Sequence, residues 1–328
     1  MREQLVEISD LKTTFETNSG TVKALRGVNL TINEGERVGL VGESGSGKSV
    51  TARSILQLID SPGEIVDGTI SFDGRDLLEL SSDEMQRVRG RDITMIFQDP
   101  SMSLDPVYSI RNQMVEAIGH NRNVDDDTAE AIAVDYLELV DMPNPERVLG
   151  SYPHELSGGM KQRVSIAMTL GFDPDLVIAD EPTTALDVTV QKNVLEIFKN
   201  VVEQEDLSVL WITHNLGVVA EFCDKIGVIY AGEIVEYGTV YDIFDDPTHP
   251  YTRELLRTIP SIERADEELR VIEGTVPNMA DPPSGCTFHP RCPDAESRCE
   301  TTDPERVAGD HHEASCLVHD VENNESND

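Results

Sequence analysis

Gly42-Glu43-Ser44-Gly45-Ser46-Gly47-Lys48-Ser49 follows a short apolar run, Arg37–Val41, and precedes a stretch of helical character, Val50–Ile59. That is the strand–loop–helix order a phosphate-binding unit needs. The stretch matches G-x-x-x-x-G-K-[ST]. Its glycines let backbone N–H groups turn inward around phosphate oxygens, Lys48 can reach the β- and γ-phosphates, and the Ser49 hydroxyl suits Mg²⁺. A phosphate loop alone fits kinases, GTPases and motor ATPases, so the rest of the chain must discriminate.

Two further stretches do so. Leu176-Val177-Ile178-Ala179-Asp180-Glu181 reads as an apolar strand ending in paired carboxylates. Asp180 suits a Mg²⁺ contact through water, and Glu181 suits polarising an attacking water. Leu156-Ser157-Gly158-Gly159-Met160-Lys161-Gln162-Arg163 opens a helix whose start is a second anion-binding surface. Two phosphate-grade sites in one chain imply a nucleotide held between two surfaces.

Around these motifs, Leu5–Phe15 and Val22–Ile32 read as strands about a turn at Asn18-Ser19-Gly20, Ile70–Phe72 and Asp92–Phe97 as two more. Helical patterns run from Asp99 to about Gly171, including one capped by Asp125-Asp126-Asp127-Thr128. Strands resume at Leu176–Ala179, Val209–Thr213 and Lys225–Tyr230. The tail from about Asp246 is proline-rich and holds four of the five cysteines.

The 62 acidic and 26 basic residues give a formal net charge of −36. A surface this acidic repels phosphate backbones and anionic lipid, which argues against nucleic acid as a partner. Self-repulsion on this scale is tolerable where salt screens it, and at 1 M the Debye length is about 3 Å, so the charge points to a salt-loving host. Met1–Leu11 lacks the apolar core of a signal peptide, and no run approaches the ~20 apolar residues of a membrane span. The expectation is a chain soluble by itself, attached to a membrane only through partners.

With these motifs the sequence resembles the ATP-binding cassette (ABC) ATPases over about residues 4–250. The resemblance implies an α/β, P-loop NTPase core around a mainly parallel sheet, with an antiparallel β-subdomain, a helical signature subdomain and a small Cys-containing C-terminal extension. The corresponding divisions are 1–98, 99–170, 171–250 and 251–328. ATP and Mg²⁺ are the implied ligands, with Phe15, Gly42, Glu43, Ser44, Gly45, Ser46, Gly47, Lys48, Ser49 and Val50 on nucleotide, and Ser49, Gln98 and Asp180 on the metal. Glu181, His214 and Gln98 would carry hydrolysis. Ser157, Gly158 and Gly159 would meet ATP held by a second subunit, and Asp187 falls in the D-loop. The chain departs from the family at Met160, where Gln is usual, and at Phe15, where Tyr or Trp is commoner as the adenine platform.

The absence of heptads and of fused membrane spans, together with a single phosphate loop, leaves a separate importer subunit. Asp246-Pro247-Thr248-His249-Pro250-Tyr251-Thr252 and Gly285-Cys286-Thr287-Phe288-His289-Pro290-Arg291-Cys292-Pro293 resemble the extension of dipeptide and oligopeptide importer ATPases. Ser61–Ile65 and Ile96–Pro100 look like the first of the two ATPase types such importers pair. The implied partners are a second homologous ATPase (or a second copy), two permeases beside a groove near Met102, Leu104 and Tyr108, and an extracytoplasmic binding protein. The implied location is the cytoplasmic face of the membrane. The alternatives are another cargo, such as a nickel complex or a sugar, and a soluble ABC ATPase outside transport. Cys286, Cys292, Cys299 and Cys316 lack the tight pair of most zinc sites. They could ligate a four-iron, four-sulfur cluster, which some members are thought to carry; zinc or no metal are the alternatives.

Overall fold

The computed structural model describes residues 3–99, 103–183, 188–259, 271–308 and 312–319, without the side chains of 188–190 and 203. The chain divides into two compact units, one of residues 1–3, 33–36 and 79–211, the other of residues 4–32, 37–78 and 212–328.

In the second unit, β1 (Gln4–Thr17), β2 (Gly20–Asn33), β4 (Gly63–Phe72) and β5 (Arg75–Asp76) form a sheet in the order β2-β1-β4-β5. β1 and β4 run antiparallel, from Val6 opposite Phe72 to Phe15 opposite Gly63. β3 (Arg37–Val41) leads through the glycine loop into α1 (Lys48–Ile55) and pairs in parallel with β9 (Lys225–Tyr230). All but the first residue of each strand is buried, as apolar strands covered on both faces must be. Beyond β9 the sheet turns antiparallel, through β10 (Glu233–Thr239) to β12 (Glu313–Ala314) and β11 (Val307–Ala308). The tail thus contributes strands, and the extension belongs to the same compact unit as the phosphate loop. The short helices α8 (Leu216–Phe222), α9 (Val240–Asp245) and α10 (Pro250–Arg257) complete this unit.

The first unit holds α2 (Ser82–Arg91), β6 (Ile93–Ile96), α3 (Ile110–Arg122), α4 (Asp126–Leu139), α5 (Pro145–Leu149), α6 (Gly158–Leu170), β7 (Leu176–Asp180) and α7 (Val188–Glu205). β8 (Ser208–Thr213) follows, its last two residues falling in the other unit. β6 and β7 are parallel, Ile93 opposite Leu176 and Ile96 opposite Ala179. Side-chain oxygens start the helices: Ser81, Ser109, Asp125 and Ser157 each accept a first-turn N–H. Ile110, Met114 and Ile118 on α3 and Ala129, Ala133 and Leu137 on α4 are fully buried at helical spacing. Trimming Leu137 to Ala would cost about 2–5 kcal/mol.

The structure differs from the sequence reading in detail. The helix after the phosphate loop ends at Ile55, not near residue 59, because Gln57 adopts φ +49°. Leu104, read as lining a groove, is 4% exposed and belongs to the core; Met102 lies outside the described residues.

Candidate nucleotide-binding site

The phosphate loop leaves β3 at Val41. Gly42 has no room for a side chain, since a Cβ there would sit 2.2 Å from the Ile229 carbonyl oxygen. Gly47 takes φ +112° as it enters α1, a conformation that favours glycine. A Cβ on Gly45 would meet nothing within 4 Å, so this part of the loop is open to an approaching group. Ser44 and Gly45 are exposed. Lys48 is 6% exposed, and its Nζ donates to the carbonyls of Gly42 (2.8 Å) and Glu43 (2.9 Å). The Ser46 hydroxyl is buried with no hydrogen-bond partner among the described residues. An unsatisfied polar atom in a glycine cradle is what an anion site would use. Ser49 and Val50 lie half-buried in the first turn of α1.

Phe15, at the end of β1, is half-buried, and its ring lies against Gly63, where a Cβ would come within 2.5 Å of Cε1. His214, just after β8, is exposed.

In the other unit, β7 delivers Asp180, 5% exposed, and then Glu181. Glu181 sits at φ +48°, an uncommon conformation for a residue with a Cβ and one that concentrates at functional sites. Gln98 Nε2 donates to Glu181 Oε2 at 3.1 Å. The structure therefore brings these two expected residues together. Ser157 caps α6 with its hydroxyl on the Met160 N–H (3.3 Å), and Ser157 and Gly158 are exposed. A Cβ on Gly158 would touch nothing, so the helix start presents open N–H groups. Asp187 lies outside the described residues. Ser49, Gln98 and Asp180 offer a hydroxyl, an amide and a carboxylate oxygen, the hard donors Mg²⁺ prefers. By donor chemistry each of these oxygens suits the ion.

Sequence reasoning missed what touches Glu43. The Glu43 N–H donates to Tyr251 Oη (2.9 Å), and Arg291 grips the Glu43 carboxylate with both terminal nitrogens, at 2.7 and 3.1 Å. Both partners lie in the quoted tail motifs, but nothing local in the sequence ties them to a loop some 200 residues earlier. Burial works against the charge on Arg291, yet its bonds to Glu43 and Tyr230 prevail and hold it firmly protonated.

The tail cysteines share one neighbourhood: Cys286 donates its N–H to the Cys299 carbonyl, and the Cys286 thiol feels both Cys299 and Cys316. Among the described residues, however, no group of three or more His, Cys, Asp or Glu is placed to hold a metal ion. The iron–sulfur expectation thus finds no support in the geometry, and the residues as placed do not fit a cluster. Burial instead pushes up the thiols of Cys286 and Cys292, the latter to about 11.

Comparison with known proteins adds the decisive observation. Residues 25–184 match the ABC transporter family, and residues 235–299 match the oligopeptide/dipeptide transporter C-terminal region. The oligopeptide transport ATP-binding protein OppD of Bacillus subtilis (strain 168) is 47% identical over 320 residues, 96% of this chain and 89% of that one. This chain belongs to the ABC transporter ATPases. The dipeptide transport ATP-binding protein DppD of the same organism is 44% identical, over 97% of this chain and 96% of its own length. Among solved structures, the ABC family cassette MJ0796, captured as a post-hydrolysis dimer bound to ADP and Pi, aligns with a TM-score of 0.65 at 27% identity, covering 72% of this chain and 99% of that one. Among the described residues of this ABC ATPase no helix is long and apolar enough to cross a membrane.

Proposed function

We propose that the chain hydrolyses ATP to drive an importer of dipeptides or oligopeptides. The observation that carries this reading is near full-length similarity to peptide-transport ATP-binding proteins, extending through the C-terminal region. The site residues take roles that follow from their chemistry. Lys48 and the loop N–H groups hold the β- and γ-phosphates. Ser49, Asp180 and Gln98 would hold Mg²⁺, which supplies charge neutralisation on the phosphates when bound. Glu181 accepts a proton from the attacking water, Gln98 orients its carboxylate, and His214 contacts the γ-phosphate. Phe15 stacks on adenine.

Ser157, Gly158 and Gly159 close on ATP held by a second subunit, a homologous ATPase or a second copy. The assembly works at the cytoplasmic face, against two permeases that receive cargo from an extracytoplasmic binding protein. Tyr108, 55% exposed, borders a cleft of about 470 Å³ with Arg111, Val115 and Glu116, and supports a docking place for a permease. Purifying the tagged chain with its partners, then measuring peptide-stimulated ATP hydrolysis in vesicles, tests the reading. Co-purification of permeases with no peptide response would point to the nickel or sugar alternative.

A further inference from the structure

Among the described residues, Arg291 is the most enclosed cation of the extension, its side chain 4% exposed. Besides Glu43, it donates through Nε to the Glu273 carbonyl (2.9 Å) and through its terminal nitrogens to Tyr230 Oη and the Ile272 carbonyl (both 3.3 Å). Its guanidinium lies over the rings of Tyr230 and Phe288, at 5.7 and 5.9 Å. Those rings and Tyr251 form one buried aromatic knot, with centroids 4.6–5.3 Å apart. A planar fork held on this many sides has one position available.

Glu43 is the second residue of the phosphate loop. An unbalanced carboxylate there would repel incoming phosphate and leave the first turn of the loop unpinned. Arg291 removes the charge, and Tyr251 holds the adjoining backbone N–H.

We propose that Arg291 is a positioning residue of the nucleotide site: by neutralising and fixing Glu43, it lets the C-terminal extension set how tightly the loop holds phosphate. The inference rests on the reading of residues 42–49 as the nucleotide loop, and it gives the extension a role in ATP affinity.

The test is a double-mutant cycle on the full-length chain, with a fluorescent ATP analogue and with inorganic tripolyphosphate as competitor. Arg291→Ala should weaken binding of both by roughly tenfold or more, the factor equal to about 1.4 kcal/mol. The same substitution made in Glu43→Gln should cost under about threefold, because no charge is left to balance. Arg291→Lys keeps the charge without the fork; it should lose affinity to an intermediate degree while its thermal midpoint stays near wild type, which covers the case of an unfolded alanine variant.

Equal losses with and without the Glu43 charge would overturn the proposal. So would a lowered midpoint with unchanged affinity, which marks a purely structural role. Lys48→Ala guards the premise. If it binds ATP like wild type, the nucleotide reading itself fails; if it loses ATP while Arg291→Ala does not, only this inference does.

Discussion

Gln98 and Glu181, 83 positions apart, are joined by one hydrogen bond, from Nε2 of the amide to Oε2 of the carboxylate at 3.1 Å. The acceptor is also the residue whose backbone is held in the left-handed region directly after β7. Converting Glu181 to Gln keeps the shape and removes the base proposed for hydrolysis. Turnover should fall by roughly 10²–10⁴, while ATP still binds. Phosphate release and nucleotide titration on the same preparation check this, and near-normal hydrolysis would remove the role given to Glu181.

Gln98→Ala deletes the other end of that bond. The carboxylate then loses an orienting donor, so hydrolysis and peptide uptake should fall more than ATP affinity does. If affinity collapsed and transport merely tracked it, Gln98 would be a binding residue only.

His249 leads to a pH prediction. It is 1% exposed, caps α10 by accepting the Tyr251 N–H at 3.0 Å, and is held by burial to a pKa of about 4 against an ordinary 6.5. Between these values the unfolded chain binds the proton and the folded one does not. Stability from this group is therefore complete above about 6.5 and is lost as pH falls toward 4, at up to about 1.4 kcal/mol per unit. His312 has the opposite sign. Burial pulls it down, but its bond to the fully buried Glu236 outweighs that, so its contribution is lost as pH rises. His249→Asn puts a capping oxygen in place of Nδ1 and removes the titration. Denaturation at pH 5 and 7 should show a flatter dependence in the variant, and parallel curves would refute the assignment.

The tail thiols are shielded. Cys299 is 4% exposed, burial raises Cys286, and Cys292 is pushed up to about 11, so Cys286 and Cys292 are thiols rather than thiolates at neutral pH. Alkylation by iodoacetamide at pH 7 should be slow in native protein and fast after unfolding. Brown anaerobic protein whose labelling speeds up on iron chelation would instead establish a cluster.

The net charge of −36 predicts a salt dependence. Raising KCl from about 0.1 to about 1 M shortens the Debye length from ~10 to ~3 Å, so the thermal midpoint should climb. A midpoint that is flat or falls would show that self-repulsion is not limiting.

What the sequence made legible was local. The glycine loop, the capped start of α6 and the apolar run into Asp180-Glu181 each carry their chemistry within about ten residues. The capping box Ser81–Glu84 was equally local, and α2 could have been read from it. The two-residue strands β11 and β12 were not legible, because they are too short to show alternation and are placed by distant pairing, Ala314 opposite Glu236. The backbone conformation of Glu181 leaves no compositional trace, nor does the choice of Glu43 as the seat of Arg291.

The tail's hold on the phosphate loop also bears on how the protein is made. Glu43 emerges early in synthesis, yet its backbone partner lies 208 residues downstream and its ionic partner 248. At about 5–20 residues per second, the loop waits at least ten seconds or so on the ribosome before Arg291 exists. A chain truncated before residue 291 should therefore display an intact motif on an unsecured loop.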